Sequence, residues 1–338
     1  MNRILINIFV VLSLSITLFA QSSVSKRGTT AAQFLNISQG ARASGMGSAF
    51  VAVADDQSAL YWNVAGLARI ENGVMVDHTT WIADIGYDFI GVNYNLGGFG
   101  AIGLSLINSD IGDMKVTTID NPDGTGETFS ARDVAFSVAW AMNLTDNFSI
   151  GFNPKVIYQS IWRMSDIALA LDMGILYDTP FKGFTLGMSI TNFGPKMQLA
   201  GTSTTILYDA EPESSGNNGR IPANLYTEEW DLPLGFKVGV SYKNVFSGMH
   251  KILLAVDASH PNDNYESINL GGEYVFNDRF SVRGGYKSLF LDESEETFTL
   301  GAGLRQLLVG NVSIRVDYMY GDFGRLKEIQ KFSIGVNF

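Results

Sequence analysis

The adjacent carboxylates Asp55 and Asp56 are the strongest candidates for catalytic chemistry in this sequence, because paired carboxylates can act as general acid and base. The same pair could also cap a helix or form a hydrogen-bonded anchor, and we favour that structural interpretation. The three histidines, His78, His250 and His260, are not spaced as metal ligands, and no G-x-S-x-G nucleophile elbow occurs. The sequence therefore predicts a protein that is not an enzyme and needs no metal or cofactor.

A second set of charged residues falls on the polar side of segments with alternating hydrophobicity. Its members are Lys155, Asp172, Lys237, Asp257, Glu273, Arg283, Arg305, Arg315 and Asp317. These charges could line a water-filled pore, or they could pair with one another and with a plug. The presence of both signs favours pairing, since an unpaired charge buried beside a plug is costly.

The segments that carry these charges have a hydrophobic period of two from Asn72 onward, which predicts β-strands. Most segments span 10–14 residues, whereas an ordinary strand has about 5–6 and a membrane-spanning strand about 9–11. The polar side is also rich in Gly, Ala and Ser, as a crowded lumen requires. A soluble β-sandwich alternates too, but segment length and these small residues favour a membrane β-barrel.

Fourteen such segments can be counted, which predicts an all-β fold: an antiparallel transmembrane β-barrel over residues 71–338. The predicted spans are 72–82, 87–96, 99–108, 131–142, 147–160, 165–178, 181–192, 233–246, 249–259, 265–276, 279–289, 295–307, 311–321 and 328–338. The two longest connections, 109–130 and 193–232, fall on the same side of this barrel. Short turns on one side and long loops on the other are typical of outer-membrane barrels.

Three further features concern the barrel wall. Aromatic residues near segment ends predict an interfacial girdle: Trp81, Tyr87, Trp140, Phe148, Tyr158, Trp162, Tyr177, Phe181, Phe276, Phe280, Tyr318 and Tyr320. The alternating apolar residues Phe332, Ile334, Val336 and Phe338 resemble the terminal-strand signal that outer-membrane assembly machinery recognises. Pro154 stands inside a predicted strand, where it indicates either a kink that opens the wall sideways or a tolerated bulge.

Residues 1–20 predict a secretory signal peptide, with Arg3, an apolar run from Ile4 to Phe19, and Ala20 at the cleavage point. The mature chain is therefore expected to leave the cytoplasm and reach the outer membrane of a Gram-negative-type bacterium. The net charge of −11 argues against a nucleic-acid partner. The absence of cysteine excludes a disulfide framework and a thiolate zinc site.

Residues 21–70 differ from the rest of the chain, because they combine small residues with a short apolar run and an acidic pair. We call this segment the hatch and expect it to fill the lumen of the barrel. Asp55 or Asp56 is expected to cap a short helix near Ser58 to Trp62, and Gly66 to close it. Charges of the hatch are expected to pair with lumen charges such as Arg283, Arg305 and Asp317.

The hatch carries the motif GARASGMGSAF, then the acidic pair, then ALYWNVAGL. This motif is similar to the N-terminal signature of the PorV/PorQ family, which belongs to the wider FadL-like group of outer-membrane proteins. The residues that carry the resemblance are Gly40, Arg42, Gly45, Gly47, Asp55, Asp56, Tyr61, Trp62, Asn63 and Gly66. The chain departs from the family at Val64, where the usual residue is proline.

The resemblance implies a fourteen-stranded barrel in outer-membrane lipid whose N-terminal segment folds into the lumen. PorV-like proteins partner the translocon channel of the type IX secretion system and receive cargo that bears a C-terminal signal domain. FadL-like proteins instead import long-chain fatty acids or other hydrophobic small molecules. We expect the secretion role here. The alternative, a hydrophobic transporter, predicts a continuous apolar pocket between the loop at 193–232 and the hatch.

Overall fold

The computed structural model of the chain describes residues 26–216, 219–246, 248–291, 294–308 and 310–338. The predicted signal peptide at 1–20 lies outside these described residues. Within them, no helix is both long enough and apolar enough to cross a membrane.

Fourteen antiparallel strands form the wall, and each pairs with its neighbours in chain order. They are β1 (Gly73–Thr80), β2 (Gly86–Asn95), β3 (Ala101–Asp110), β4 (Thr128–Thr145), β5 (Phe148–Ile161), β6 (Met164–Asp178), β7 (Phe184–Phe193), β8 (Gly235–Phe246), β9 (His250–Pro261), β10 (Ser267–Phe276), β11 (Phe280–Leu289), β12 (Phe298–Leu307), β13 (Ser313–Asp322) and β14 (Glu328–Asn337). The pairing of β1 with β14 closes the barrel, so each of the fourteen wall strands has a partner strand on both sides. The predicted strand count, strand order and closure are confirmed.

The period-two pattern positions side chains as the sequence predicts, with large apolar residues outside and small or charged residues inside. On β3 and β4, for example, Leu104 and Val138 are each 48% exposed, whereas their inward neighbours Ser105 and Ala139 are buried. Outward apolar side chains would face lipid, because a closed barrel presents one face to its surroundings and the other to its lumen.

Two members of the predicted aromatic girdle are placed differently. Tyr87 points into the barrel and is 7% exposed. Trp81, in the connection that precedes β2, packs edge-to-face against both Tyr87 and Phe323. Tyr87 occupies one of the alternate positions of β2 whose side chains point into the lumen. The alternation, and not the nearby strand end, therefore determines where its ring points. Trp140, Tyr177, Phe280 and Tyr318 are exposed on the outside as predicted.

The connections give the barrel two different ends. We call the end with the long connections 111–127 and 194–234 the outer end, and the end with short turns the inner end, as in other outer-membrane barrels. The connection 194–234 contains two short paired strands, Thr205–Tyr208 and Ile221–Asn224, which we call the outer hairpin. This hairpin forms a separate two-stranded sheet.

Pro154 does not displace the wall. On one side β5 pairs continuously with β6, and Pro154 stands opposite Leu171. On the other side the pairing with β4 stops at Lys155 and resumes at Phe152 in the same register. Because proline has no N–H to donate, a local interruption of one ladder is expected. The pairing therefore does not support a lateral opening at Pro154, and β5 shows no change of register there.

The C-terminal strand closes the barrel. Its residues Phe332 and Ile334 point outward and are 45% and 42% exposed, and Phe338 is 54% exposed. The Phe338 N–H donates to Asn72 O at 2.9 Å, which joins the chain end to the start of the wall. The role of Phe332, Ile334, Val336 and Phe338 as an assembly signal stays a prediction.

Candidate functional site

The hatch fills the lumen, and its backbone rests directly on the wall. It contains two short helices, α1 (Ala41–Gly45) and α2 (Ala59–Trp62), followed by a 3-10 segment at Val64–Arg69. Inward glycines of the wall make this close approach possible. A Cβ on Gly285 would lie 2.0 Å from Gly47 N, and one on Gly271 would lie 2.2 Å from Met46 O.

Two aspartates of the wall hold the hatch by its backbone N–H groups. Asp77 on β1 accepts hydrogen bonds from the N–H of Gly40 at 3.0 Å and of Ala41 at 3.1 Å, where α1 begins. Asp257 on β9 accepts from the N–H of Phe50 and Val51 at 2.7 and 2.8 Å. These carboxylates satisfy donors that α1 and the following turn leave free. Asp257 was predicted as a lumen charge, whereas sequence reasoning missed Asp77.

Below α1, six charged side chains form a closed ring in which signs alternate. The ring runs in order through Arg42, Glu273, Arg283, Asp317, Arg315 and Asp56. Arg42 and Asp56 belong to the hatch, and the other four belong to β10, β11 and β13. We call this group the charge ring. It is electrically neutral, and it fastens the hatch to three strands of the wall.

The contacts within the charge ring are short. Arg42 Nη2 lies 2.7 Å from Glu273 Oε2, and Arg283 Nε lies 2.6 Å from Glu273 Oε1. Arg283 Nη1 lies 2.8 Å from Asp317 Oδ1. Arg315 closes the ring, because it lies 2.8 Å from both Asp317 Oδ2 and Asp56 Oδ2. Each guanidinium contacts two carboxylates, which a planar fork of donors permits.

Two of the predicted partners lie outside the ring. Asp55 contacts Arg42 from the side, and Lys243 Nζ lies 3.8 Å from Asp55. The prediction that Arg305 pairs with the hatch acids is wrong: Arg305 contacts Ser313 Oγ at 3.2 Å and Glu71 Oε2 at 3.6 Å. Arg305 stands directly opposite Arg315 in the strand register, and Arg315 occupies the position next to Asp56.

Asp56 does not cap α2 in the predicted way. The cap residue of α2 is Ser58, and Asp56 Oδ1 accepts the Ser58 N–H at 3.0 Å in a local turn. Burial alone would raise the pKa of Asp56, but the positive charges of Arg315 and Arg42 lower it to about 2. Asp56 therefore stays charged at neutral pH. Asp55 and Asp56 are accordingly anchored to arginines, as the structural interpretation of this pair predicts.

Side chains in the second half of the hatch motif form hydrogen bonds within the hatch and with the wall. Asn63 donates through Nδ2 to Val51 O at 2.8 Å and to Ile175 O of the wall at 2.9 Å. Trp62 Nε1 donates to Gln39 O at 2.8 Å, and the Tyr61 hydroxyl donates to Leu35 O at 3.0 Å. Asn63 thus secures the turn after α2 although Val64 replaces the usual proline.

Gly66 has a different role from the predicted one. Helix α2 ends at Trp62, and Gly66 lies inside the 3-10 segment that follows. A Cβ at Gly66 would lie 2.1 Å from Ala54 O. Gly66 is therefore required for the close packing of two hatch segments and does not close a helix. Burial, with a smaller effect of Asp172, raises the pKa of the Tyr61 phenol, so Tyr61 remains a donor.

Lysines dominate the outer side of the hatch. Lys155 Nζ lies 2.6 Å from Asp172 Oδ2 and donates to Asn192 Oδ1 at 2.8 Å. Lys237 Nζ has no carboxylate within 4.0 Å among the described residues and lies over the rings of Trp62 and Tyr61, 5.0 and 5.9 Å from their centroids. The two lysines therefore differ in their direct contacts, because Lys155 has a carboxylate partner and Lys237 has none among the described residues.

Two large cavities lie on opposite sides of the hatch in the described part of the chain. The outer vestibule has a volume of about 420 Å³, and Tyr61 and Trp62 lie at its floor. Among the described residues its lining includes none of the connection 193–232, so it is not the continuous apolar pocket between that connection and the hatch that the hydrophobic-transporter alternative predicts. Lys155, Lys237 and Lys287 line it. The inner vestibule has a volume of about 340 Å³ and lies between the charge ring and the inner end.

Sequence reasoning missed several groups that hold the hatch. Lys331 on β14 donates to Thr79 Oγ1 at 2.9 Å and also to Ser38 O. Arg69 forms an ion pair with Asp178 at 2.9 Å. Asp77, Asp178 and Lys331 lie in predicted strands, so the alternating pattern could have assigned them to the inward face. Among the described residues, no group of three or more His, Cys, Asp and Glu is arranged to hold a metal ion.

A closed wall of fourteen antiparallel strands around an N-terminal hatch defines a transmembrane β-barrel with a filled lumen. Residues 20–205, more than half of the 338, match the family model described as type IX secretion system protein PorV. The chain belongs to this family. The resemblance seen in the hatch motif is thereby confirmed at the level of the family.

Solved structures agree on the fold. The Ralstonia pickettii toluene transporter TbuX is 14% identical, with a TM-score of 0.55, and the match covers 88% of this chain and 97% of that one. The Pseudomonas putida toluene transporter TodX is 12% identical, with a TM-score of 0.55 and coverage of 88% and 96%. At such identities the similarity concerns the fold. A comparison with curated proteins gave no match.

Proposed function

We propose that this chain is a non-enzymatic outer-membrane barrel that acts in type IX protein secretion. In this role it binds the translocon channel, the C-terminal signal domains of secreted cargo, or both. Membership of the PorV family supports the proposal. The charge ring supports it as well, because a hatch fastened to three strands leaves the outer surface as the part free to meet a partner protein.

The outer hairpin is the observation on which this proposal rests. Its two strands pair with each other and form a sheet of their own, so each strand has an edge without a partner strand in the described chain. Leu207 and Tyr208 on the first strand are 67% and 52% exposed, and Tyr226, just beyond the second strand, is 78% exposed. Free strand edges beside exposed apolar side chains suit a partner that adds a strand.

The experiment replaces residues 205–224 by a short Gly-Ser linker and measures binding to a purified C-terminal signal domain and to the purified translocon channel. We expect the variant to lose binding to at least one of them, because the docking edge is gone. Secretion of cargo in cells that carry the variant should fall in parallel.

The matched control shortens the other long outer connection at 117–125, which removes loop residues but leaves the outer hairpin intact. Heat-dependent mobility on a denaturing gel establishes that both barrels assemble. Full binding by the hairpin variant, or equal loss in the two variants, would contradict docking through the outer hairpin.

The alternative function is FadL-like import of hydrophobic compounds. The aromatic floor of the outer vestibule favours it, since the half-buried ring of Tyr61 is apolar, although Trp62 beside it is only 2% exposed. The lysines of the same cavity weigh against a neutral hydrocarbon, because an apolar ligand would strip water from them without replacing it. Uptake of labelled fatty acid or toluene by proteoliposomes distinguishes the two functions: saturable uptake that a Trp62→Ala variant lacks would favour transport.

A further inference from the structure

The inner vestibule carries a charge pattern that the charge ring does not use. Four cations stand near its opening, on consecutive strands of the wall or the turn between them: Lys243, Lys251, Arg279 and Arg305. We call them the rim cations. They come from β8, β9, the turn before β11, and β12. They therefore follow one arc of the barrel, and the hatch faces them from the other side.

Three of the four rim cations are poorly neutralised by the described residues. Arg279 has no hydrogen bond or ion pair from its guanidinium to any described residue. Arg305 reaches Glu71 only at 3.6 Å, and the Glu71 side chain is 69% exposed. Lys243 lies 3.8 Å from Asp55, and Lys251 pairs with Asp278 in the turn. Ion pairs at 3.6–3.8 Å with exposed partners contribute little, so Lys243, Arg279 and Arg305 are available to another anion.

The remaining charges of the cavity do not supply that anion. Eight basic and five acidic side chains line the inner vestibule. Asp317 and Asp178 lie outside this lining and pair with three of the basic side chains, so the excess of positive charge is one, in a chain whose net charge is −11. The carboxylates of the charge ring are each occupied by two arginines. An excess of positive charge in a concave site focuses the field and attracts anions.

We propose that the inner vestibule binds a small polyvalent anion that carries phosphate or carboxylate groups. Its volume of about 340 Å³ lies within the usual range for small-molecule sites, roughly 300–1,000 Å³. The charge ring and hatch close its outer side, which makes it a pocket with one entrance. Guanidinium groups present paired donors that match the oxygens of phosphate and carboxylate. This inference does not depend on the secretion role.

The test is calorimetric titration of the purified full-length barrel in detergent with pyrophosphate and, separately, with citrate. We expect at least one of them to bind, with affinity falling as salt is added because the site acts through charge. A double variant, Arg279→Gln with Arg305→Gln, should weaken that binding by about tenfold or more. Stronger binding of pyrophosphate identifies a phosphate ligand, and stronger binding of citrate a carboxylate ligand.

The control is Arg325→Gln, which removes an arginine at the outer end, where it pairs with Glu295. It should bind as the unchanged protein does. If the double variant does not assemble, the single variant Arg279→Gln is measured instead, since Arg279 has no partner to lose among the described residues. Absence of binding to both anions at millimolar concentration, or equal binding by the rim variants and the unchanged protein, would overturn the proposal.

Discussion

The two ends of the lumen hold the hatch with different cations. At the inner end three arginines join three carboxylates into one closed charge ring. At the outer end lysines make separate contacts with the hatch: Lys331 donates to Ser38 O, and Lys237 lies over the ring of Trp62. A guanidinium can bridge two carboxylates, whereas an ammonium acts as a point charge. Arginines therefore join the hatch to several strands at the inner end. The lysines at the outer end form no such network, and a cavity lies beside them.

This difference implies that the two ends contribute unequally to stability. A buried ion pair is costly to break, because the remaining charge has no water to solvate it. In the charge ring every member has two ring partners, so one substitution opens the ring, takes one partner from each neighbour and leaves one unit of buried charge uncompensated. At the outer end a substitution affects a single contact. Substitutions at the inner end should therefore lower the free energy of unfolding more than substitutions at the outer end.

Replacing Arg283 by methionine should have the largest effect. Arg283 contacts Glu273 and Asp317, and the side chains of all three are 3% exposed or less. We expect the free energy of unfolding to fall by about 3–5 kcal/mol, as for other buried pairs that lose one partner. Urea unfolding in detergent measures the loss. Faster hydrogen exchange at 41–47 would show that the hatch is the part released.

Two further variants sharpen this result. Arg283→Lys keeps the charge but cannot bridge both carboxylates, so its loss should be intermediate. Arg163→Met removes an exposed arginine that lies over the Trp162 ring, and it should cost no more than about 1 kcal/mol. If Arg283→Met behaves like Arg163→Met, the charge ring does not hold the hatch.

The second-largest effect is expected from acid, which should weaken the contacts that hold the hatch at the inner end. The pKa of Asp56 is lowered from 3.8 to about 2 in the folded protein. The unfolded chain therefore takes up a proton at higher pH than the folded one, and the stabilisation is present above about pH 4. It should be lost as pH falls through about 2, and it amounts to about 2 kcal/mol from the pKa difference.

Urea unfolding at a series of pH values measures this loss. An Asp56→Asn variant cannot titrate at this position, so its stability should change less over the same range. Equal pH dependence in the two proteins would show that Asp56 is not coupled to the arginines in the way the ring geometry requires.

The smallest effect is expected for Lys237→Met at the outer end. Lys237 has no carboxylate within ion-pair distance among the described residues, and a cation over aromatic rings contributes about 0.5–1 kcal/mol at exposed sites and about 2 when desolvated. Because methionine also removes the cost of desolvating an ammonium, we expect a net change within about 1 kcal/mol. The comparison is Arg315→Met, measured by the same urea unfolding. If Lys237→Met destabilises as much as Arg315→Met, the two ends are equivalent and the comparison fails.

Much of the wall could be predicted from the sequence, because the side chains of a strand in a closed barrel follow a simple rule. Residues alternate between lipid and lumen, so the phase of Glu273, Arg283 and Asp317 follows from their apolar neighbours. The same rule would have placed Asp77 and Lys331 inside. The alternation does not determine which inward charged side chains contact each other. Arg305 and Arg315 share the inward phase, yet Arg315 contacts Asp56 and Arg305 contacts Ser313 and the exposed Glu71.

By itself the sequence determined the fourteen strands and the difference between the end with long loops and the end with short turns. It also determined an N-terminal segment whose small residues allow close packing. These depend on local periodicity and residue size, which act over a few neighbouring positions. The charge ring and the two vestibules on opposite sides of the hatch were decided by the tertiary structure. Arg42 and Asp56 meet Glu273 and Arg315 more than 200 residues further along the chain. Strand register and the path of the hatch bring them together, and no local pattern encodes either.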